Sequence, residues 1–245
     1  MPISSSASAL IIGAGGIGLP AALALAAAGV RRIGLVDDDR VEATNLHRQV
    51  LFSDGDVGEL KVDAAARALA RRFPALDVDR HAVRFTVANA GDLCSAYDIV
   101  IDGSDNFATK FLANDAAVLA RRTLVHGAAV ALGGQLVTVP PGGHPCYRCL
   151  FEEPPPAGVG ASCAEAGVLG PVPGVIGALA GAEAARVLAG GSPAFVGRLV
   201  QYDSVGMTIR TVHFNPNPTC AVCGAAARIR TLSAGDYPVA DCAVL

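Results

Sequence analysis

The stretch Ala9–Gly18, ALIIGAGGIG, is a short apolar run that stops at a glycine turn. An Ala- and Leu-rich segment of helical character continues to Gly29, and Ile33 to Val36 is a second apolar run ending in Asp37, Asp38 and Asp39. Strand, tight turn, helix and strand in this order make one βαβ unit, right-handed by default. Backbone N–H groups at the start of a helix can face a phosphate when no side chain blocks the approach, the condition that Gly13, Gly15, Gly16 and Gly18 meet. Asp37, about 20 residues beyond the turn, suits a ribose hydroxyl pair. These features say nucleotide. Alone they favour a nicotinamide or flavin enzyme, and they also allow a tight turn with no ligand.

Outward from this unit the alternation continues. An irregular stretch holds Asn45-Leu46-His47-Arg48-Gln49, a helix is expected from about Glu59 to Arg72, and Val78–Val83 reads as a third strand. Asp98–Ile101 has strand character and runs into Asp102-Gly103-Ser104-Asp105-Asn106, with a helix to Arg122 and a strand at Leu124–His126. The alternation then ends. Ala128–Leu132 and Gln135–Val139 read as a hairpin around Gly133-Gly134. The Pro- and Gly-rich stretch Glu152–Gly160 is expected to be a mobile loop, Pro171–Leu188 a helix, and Leu199–Tyr202 and Thr208–Phe214 strands. The fold class expected is α/β: a Rossmann-like mixed sheet flanked by helices.

Composition agrees with one large domain. At 245 residues the chain is long enough for a substantial core and short for two catalytic domains. Hydrophobic residues make up 52% with 28 Gly and only 5% aromatics, so the core must be mainly Ala, Val, Leu and Ile, as closely packed small-residue helices require. The net charge is -3 and the basic residues are scattered pairs such as Arg71-Arg72, which gives no stripe for nucleic acid. The apolar runs Leu23–Ala28 and Val172–Leu188 are broken by Gly or charge before the ~20 residues of a membrane span, and read as buried helices. Met1–Ser8 has no basic start or cleavage pattern, so a cytoplasmic, reducing location is expected. Of seven Cys, four form two C-x-x-C pairs, which in that setting points to metal before disulfides.

Arg48, Lys61 and Asp105 shift the balance away from hydride transfer. Attack on the α-phosphate of ATP builds charge on the phosphoryl oxygens and the departing pyrophosphate, so cations must be aimed there and a carboxylate must hold Mg²⁺. Arg48 follows the second strand, Lys61 starts a helix and Asp105 follows a strand at its carboxyl end, where open α/β sheets bind ligands. Taken singly each has a bland reading, as a surface cation, a solvated helix residue and a helix cap. Cys146, Cys149, Cys220 and Cys223 supply the tetrahedral thiolate set that Zn²⁺ prefers, as a structural clamp between distant segments.

Glycines 13–18, Asp37-Asp38-Asp39, Asn45-Leu46-His47-Arg48-Gln49, Val57-Gly58-Glu59-Leu60-Lys61, Asp102-Gly103-Ser104-Asp105-Asn106 and the two Cys pairs resemble, in order, the ThiF/MoeB/HesA family, relatives of ubiquitin-activating enzymes. The resemblance implies ATP- and Mg²⁺-dependent adenylation of the C-terminal Gly carboxylate of a ubiquitin-like sulfur-carrier protein. Activation of a peptide or tRNA-linked carboxylate and a carrier adaptor without turnover are the alternatives. It further implies that Asp37 binds ribose, that Asn45, Arg48 and Lys61 hold the triphosphate, that Asp105 binds Mg²⁺, and that Asp39, Gln49, Ser104 and Asn106 belong to the nucleotide site. It implies a single domain over 1–245, with a nucleotide part at about 9–126 and a carrier and zinc part at about 127–245. A homodimer is expected, with a Gly-Gly tail threading into the site and a sulfur-donor protein as a further partner.

Cys163 resembles a position that in some family members bonds the activated carrier or takes part in sulfur transfer; the bland reading is a small buried apolar residue. Cys94 and Cys242 read as incidental, although the tail holding Tyr237 and Cys242 also resembles the family. One feature departs from the pattern. The family's arginine motif RYxRQ ahead of the first strand has no counterpart in Met1–Ala9, so the resemblance assigns no residue to the arginine that reaches the partner subunit's nucleotide.

Overall fold

The computed structural model describes residues 2–154 and 167–237; Cys163, Cys242 and the greater part of the expected loop lie outside them. The strands are β1 (Ser8–Ile12), β2 (Arg32–Val36), β3 (Asp77–His81), β4 (Ile99–Asp102), β5 (Thr123–Val130), β6 (Gly133–Val139), β7 (Arg198–Asp203) and β8 (Thr208–His213). They form one sheet of order β3-β2-β1-β4-β5-β6-β7-β8. The neighbours from β3 to β5 run parallel and those from β5 to β8 antiparallel, so the sheet is mixed as expected. The order turns around at β1 and β4, a switch point at which the loops leaving the strands' carboxyl ends diverge and open a crevice.

The helices are α1 (Gly18–Ala27), α2 (Lys61–Arg72), α3 (Val87–Ser95), α4 (Phe107–Leu119), α5 (Tyr147–Leu150) and α6 (Pro171–Leu188). Alternate strand residues feed two cores. Ala9, Ile11, Ile99 and Ile101 face α1, α2 and α6, whereas Leu10, Ile12 and Val100 face α3, α4 and the cysteine segment. The small-residue expectation is realised where α6 meets α1: a Cβ on Gly177 would stand 2.2 Å from the Ile17 carbonyl, and one on Gly181 2.7 Å from the Ala21 carbonyl. Among the described residues no helix is long and apolar enough to cross a membrane.

Two expectations are corrected. The run from Leu124 to Leu132 is a strand and half a hairpin in the sequence reading, but β5 passes unbroken from Thr123 to Val130 and the turn is Ala131-Leu132. Gly133 and Gly134 are strand residues instead, and at Gly134 α6 comes too close for a side chain: a Cβ there would lie 2.3 Å from Ile176 Cγ1. The second correction is α3, absent from the sequence reading. Its N-terminus is defined by a capping box in which Thr86 and Asn89 satisfy each other's backbone N–H groups.

Candidate functional site

A cavity of about 290 Å³ opens at the carboxyl ends of β1, β2 and β4. Gly13, Gly15, Gly16, Asp37, Asp39, Asn45, Arg48, Gln49, Lys61, Ser104, Asp105 and Asn106 all line it, so residues spread over 94 positions converge on one place. Gly18 does not line it. It opens α1, where a Cβ would fall 1.9 Å from the Gly13 carbonyl, so it serves the closure of the turn. Gly13 takes a positive φ of 91°, and among the described residues the one atom within 4 Å of a Cβ added at Gly15 is Gln49 Nε2 at 3.8 Å. The turn therefore presents bare backbone to the cavity.

The charged groups are held differently. Asp37 accepts the Ala14 N–H at 2.7 Å and the Asp39 N–H at 2.9 Å, which ties the glycine turn to the end of β2. Burial raises its pKa, partly offset by Lys61 and these two N–H groups. Lys61, at the first position of α2 and only 6% exposed, extends to Asp39 at 2.6 Å. Arg48 donates to the Asn45 side chain, which fixes both on one turn. Asp105 is exposed at the rim and, among the described residues, has no ion pair or hydrogen-bonded partner. Asn106 caps α4 by accepting the Thr109 N–H at 2.8 Å. Two buried polar atoms beside the cavity, Gln49 Oε1 and Ser104 Oγ, have no partner among the described residues, as groups reserved for a ligand would.

Several lining residues were not singled out from the sequence. Ile12, Val36, Val83 and Phe85 form an apolar wall next to Asp37, of the kind a purine base fits, with Arg84 at its rim. Ala129, Val168 and Pro173 reach in from the later half of the chain. Behind the cavity lies a buried group that sequence reading also missed. Asp102, fully buried, accepts from His126 Nδ1 at 2.8 Å and from Lys110 Nζ at 3.2 Å, and Lys110 also donates to the Gly127 carbonyl at 2.7 Å. Burial alone would raise the Asp102 pKa; Lys110 and His126 override it and hold the carboxyl below its ordinary range. Burial lowers the pKa of His126, against the opposing pull of Asp102. Removing one member of such a buried pair typically costs about 3–5 kcal/mol.

The four cysteines of the C-x-x-C pairs form a second centre. Cys146 and Cys149 at the start of α5 meet Cys220 and Cys223, with Sγ–Sγ distances of 3.5 Å for Cys146–Cys220 and 3.4 Å for Cys149–Cys223. All four sulfurs lie within 4.8 Å of one another, so the cluster can hold a metal ion. A tetrahedron with metal–sulfur bonds of about 2.3 Å has edges of about 3.8 Å, close to this arrangement. Between the first pair, Arg148 forks onto the buried Asp115 of α4 at 2.8–3.0 Å and Tyr147 N–H bonds the Asn114 side chain at 2.8 Å; from much later in the chain, Tyr237 also donates to Asp115 at 2.9 Å. Cys94 is buried in α3, which pushes its thiol up to about 12.

Comparison with known proteins gives a consistent result. The model of the ThiF family matches residues 3–222. The sulfur carrier protein adenylyltransferase of Thermus thermophilus is 47% identical over 223 residues, 89% of this chain and 82% of that protein. The adenylyltransferase and sulfurtransferase MOCS3 of Bos taurus is 47% identical over 221 residues, 90% of this chain and 49% of that one, so the chain spans about half of that relative. Among solved structures, E. coli MccB with MccA-N7isoASN aligns at a TM-score of 0.80 and 26% identity, covering 90% of this chain and 68% of that one. E. coli MccB with ATP aligns at 0.75 and 27% identity, covering 90% and 67%.

Proposed function

This chain belongs to the ThiF family, and from that premise we propose that it adenylates the C-terminal Gly carboxylate of a small ubiquitin-like sulfur-carrier protein with ATP and Mg²⁺. The observation that carries the reading is the convergence of Arg48, Lys61 and Asp105 with the glycine turn on one cavity. A nicotinamide enzyme has no use for two cations and a free carboxylate at the phosphate end. A carboxylate attacking the α-phosphorus needs all three: an oxygen–phosphorus bond forms, the bond to the bridging oxygen breaks, and pyrophosphate departs with the negative charge.

In this reading the apolar wall at Val36 and Phe85 takes the base and Asp37 the ribose hydroxyls. Backbone N–H groups of the turn, with Asn45, Arg48 and Lys61, hold the triphosphate, and Gln49, Ser104 and Asn106 complete the lining. Asp39 keeps the Lys61 ammonium directed at the cavity. Asp105 would hold Mg²⁺, which neutralises the phosphate oxygens when bound. Cys146, Cys149, Cys220 and Cys223 would hold Zn²⁺ in a structural role, because four thiolates leave no open position. We assign the active form a homodimer.

Pyrophosphate exchange tests the reading. With a small carrier protein ending in Gly-Gly, labelled pyrophosphate is expected to enter ATP, and without the carrier it is not. No exchange with such carriers argues for an adaptor, and exchange supported only by another carboxylate argues for a different acyl substrate. Cys163 is assigned the capture of the activated acyl group: its thiol attacks the acyl carbon and AMP leaves. Cys163→Ser should then leave exchange intact, because adenylation comes first, while abolishing thiocarboxylate formation and any thiol-sensitive adduct with the carrier. Normal thiocarboxylate formation in that variant would make sulfur delivery direct.

A further inference from the structure

We propose that His126 is a positioning residue for the turn Gly103–Asp105, acting through Asp102. It rests on reading Asp105 as the residue that holds the nucleotide's cation. The elements explain why these groups meet. Asp102 ends β4, and the parallel register puts His126 of β5 opposite it. The chain turns at Gly103 and enters α4, which brings Lys110 back beneath the strand end.

The carboxylate then divides its work. Oδ2 receives His126 Nδ1–H at 2.8 Å and Lys110 Nζ at 3.2 Å, while Oδ1 receives the Ser104 N–H at 2.9 Å. The two oxygens are one rigid unit, so fixing Oδ2 from two directions fixes Oδ1, and Oδ1 holds the turn that carries Asp105. Lys110 alone is a weaker lock, because an ammonium on a flexible four-carbon stem can follow a rotating carboxylate, whereas an imidazole clamped in a strand cannot. Asp105 has no partner of its own among the described residues, so its position is inherited from this turn and from the Asn106 cap. A site held in place before its cation arrives binds it without reordering cost.

The tautomer follows from the geometry. Because Nδ1 faces a carboxylate oxygen it carries the proton, which leaves Nε2 an acceptor. Nε2 is buried without a partner among the described residues, beside a cavity of about 10 Å³ lined by Gln135, Tyr147 and Leu199, about the size of one water molecule. The positioning role resides in Nδ1, and this separates it from simple packing.

The test uses the full chain and a fluorescent ATP analogue, titrated with and without Mg²⁺, so that no carrier is needed. His126→Asn and His126→Gln are similar in polarity, but the Asn amide can donate from near the Nδ1 position and the Gln amide from near Nε2. In His126→Gln the tightening of nucleotide binding by Mg²⁺ is expected to fall by about 10-fold, the worth of one hydrogen bond to a charged group. The Mg²⁺-free affinity should stay within about 2-fold, and His126→Asn should restore the Mg²⁺ response. Asp105→Asn, run alongside, should lose that response altogether. A wild-type response in His126→Gln, or equal losses in the Asn and Gln variants, overturns the positioning role. A wild-type response in Asp105→Asn overturns instead the assignment of the cation to Asp105.

Discussion

Asp105→Asn is expected to abolish Mg²⁺-dependent pyrophosphate exchange, by at least ~100-fold, in a protein that melts like the wild type. The two halves of this result come from one feature. Asp105 is exposed and, among the described residues, has no ion pair, so its charge contributes nothing to folding that Asn would forfeit. The amide keeps the shape of the carboxyl group and removes only the negative charge that a hard cation requires. The neighbouring acids behave oppositely. Asp102 and Asp115 are fully buried and each holds a cation, Lys110 or Arg148, so replacing either leaves an uncompensated buried charge and should lower stability first. Exchange is measured with the carrier present, and thermal melting in parallel. A variant with wild-type exchange would mean that the catalytic cation sits elsewhere; a variant that loses exchange only by melting would make Asp105 structural.

The contrast between these three aspartates shows what a single sequence can and cannot reveal. The placement of Asp105 at the cavity could be read in advance because it stands in a motif at the carboxyl end of a strand. The glycine turn, Arg48 and Lys61 could be placed beside it from their positions on the elements, and Asn45 from the family resemblance. Asp102 lies three residues away and looks equally available, yet it faces inward. That fact depends on the register that sets His126 of β5 opposite it, and register between non-adjacent segments leaves no local trace. The misplaced hairpin turn has a similar origin. Gly133-Gly134 is a turn signal by local chemistry, and it takes the approach of Ile176 from α6 to explain Gly134 within a strand. Helix α3 was missed because its residues, VANAGDLCS, lack a clear apolar period and its capping box is its main signal. The four-cysteine set was plain from its spacing, whereas its attachment to α4 through Arg148 and Asp115 depends on contacts across 33 positions.

That attachment sets the size of the second large effect, expected on stability. Purified protein should carry one Zn²⁺ per chain, and Cys146→Ser or Cys223→Ser should destabilise it more than any substitution in the nucleotide cavity. Structural zinc contributes an apparent ~10–16 kcal/mol in zinc-finger peptides, comparable to the ~5–15 kcal/mol total stability of a typical domain. Even a fraction of that is decisive here, because the clamp does more than join Cys146 and Cys149 to Cys220 and Cys223. It holds the segment that delivers Arg148 to the buried carboxylate of Asp115 and Tyr147 to Asn114. If the clamp opens, Asp115 stays in the core without its cation, and losing one partner of a buried pair costs a further ~3–5 kcal/mol. Strong chelation should therefore lower the melting temperature steeply and expose the later strands to proteolysis. The fraction of Cys223→Ser that remains folded should retain pyrophosphate exchange, since none of the four thiols lines the nucleotide cavity. Elemental analysis finding no zinc in protein that melts at the wild-type temperature would sink the assignment, and so would a Cys146→Ser variant that melts unchanged.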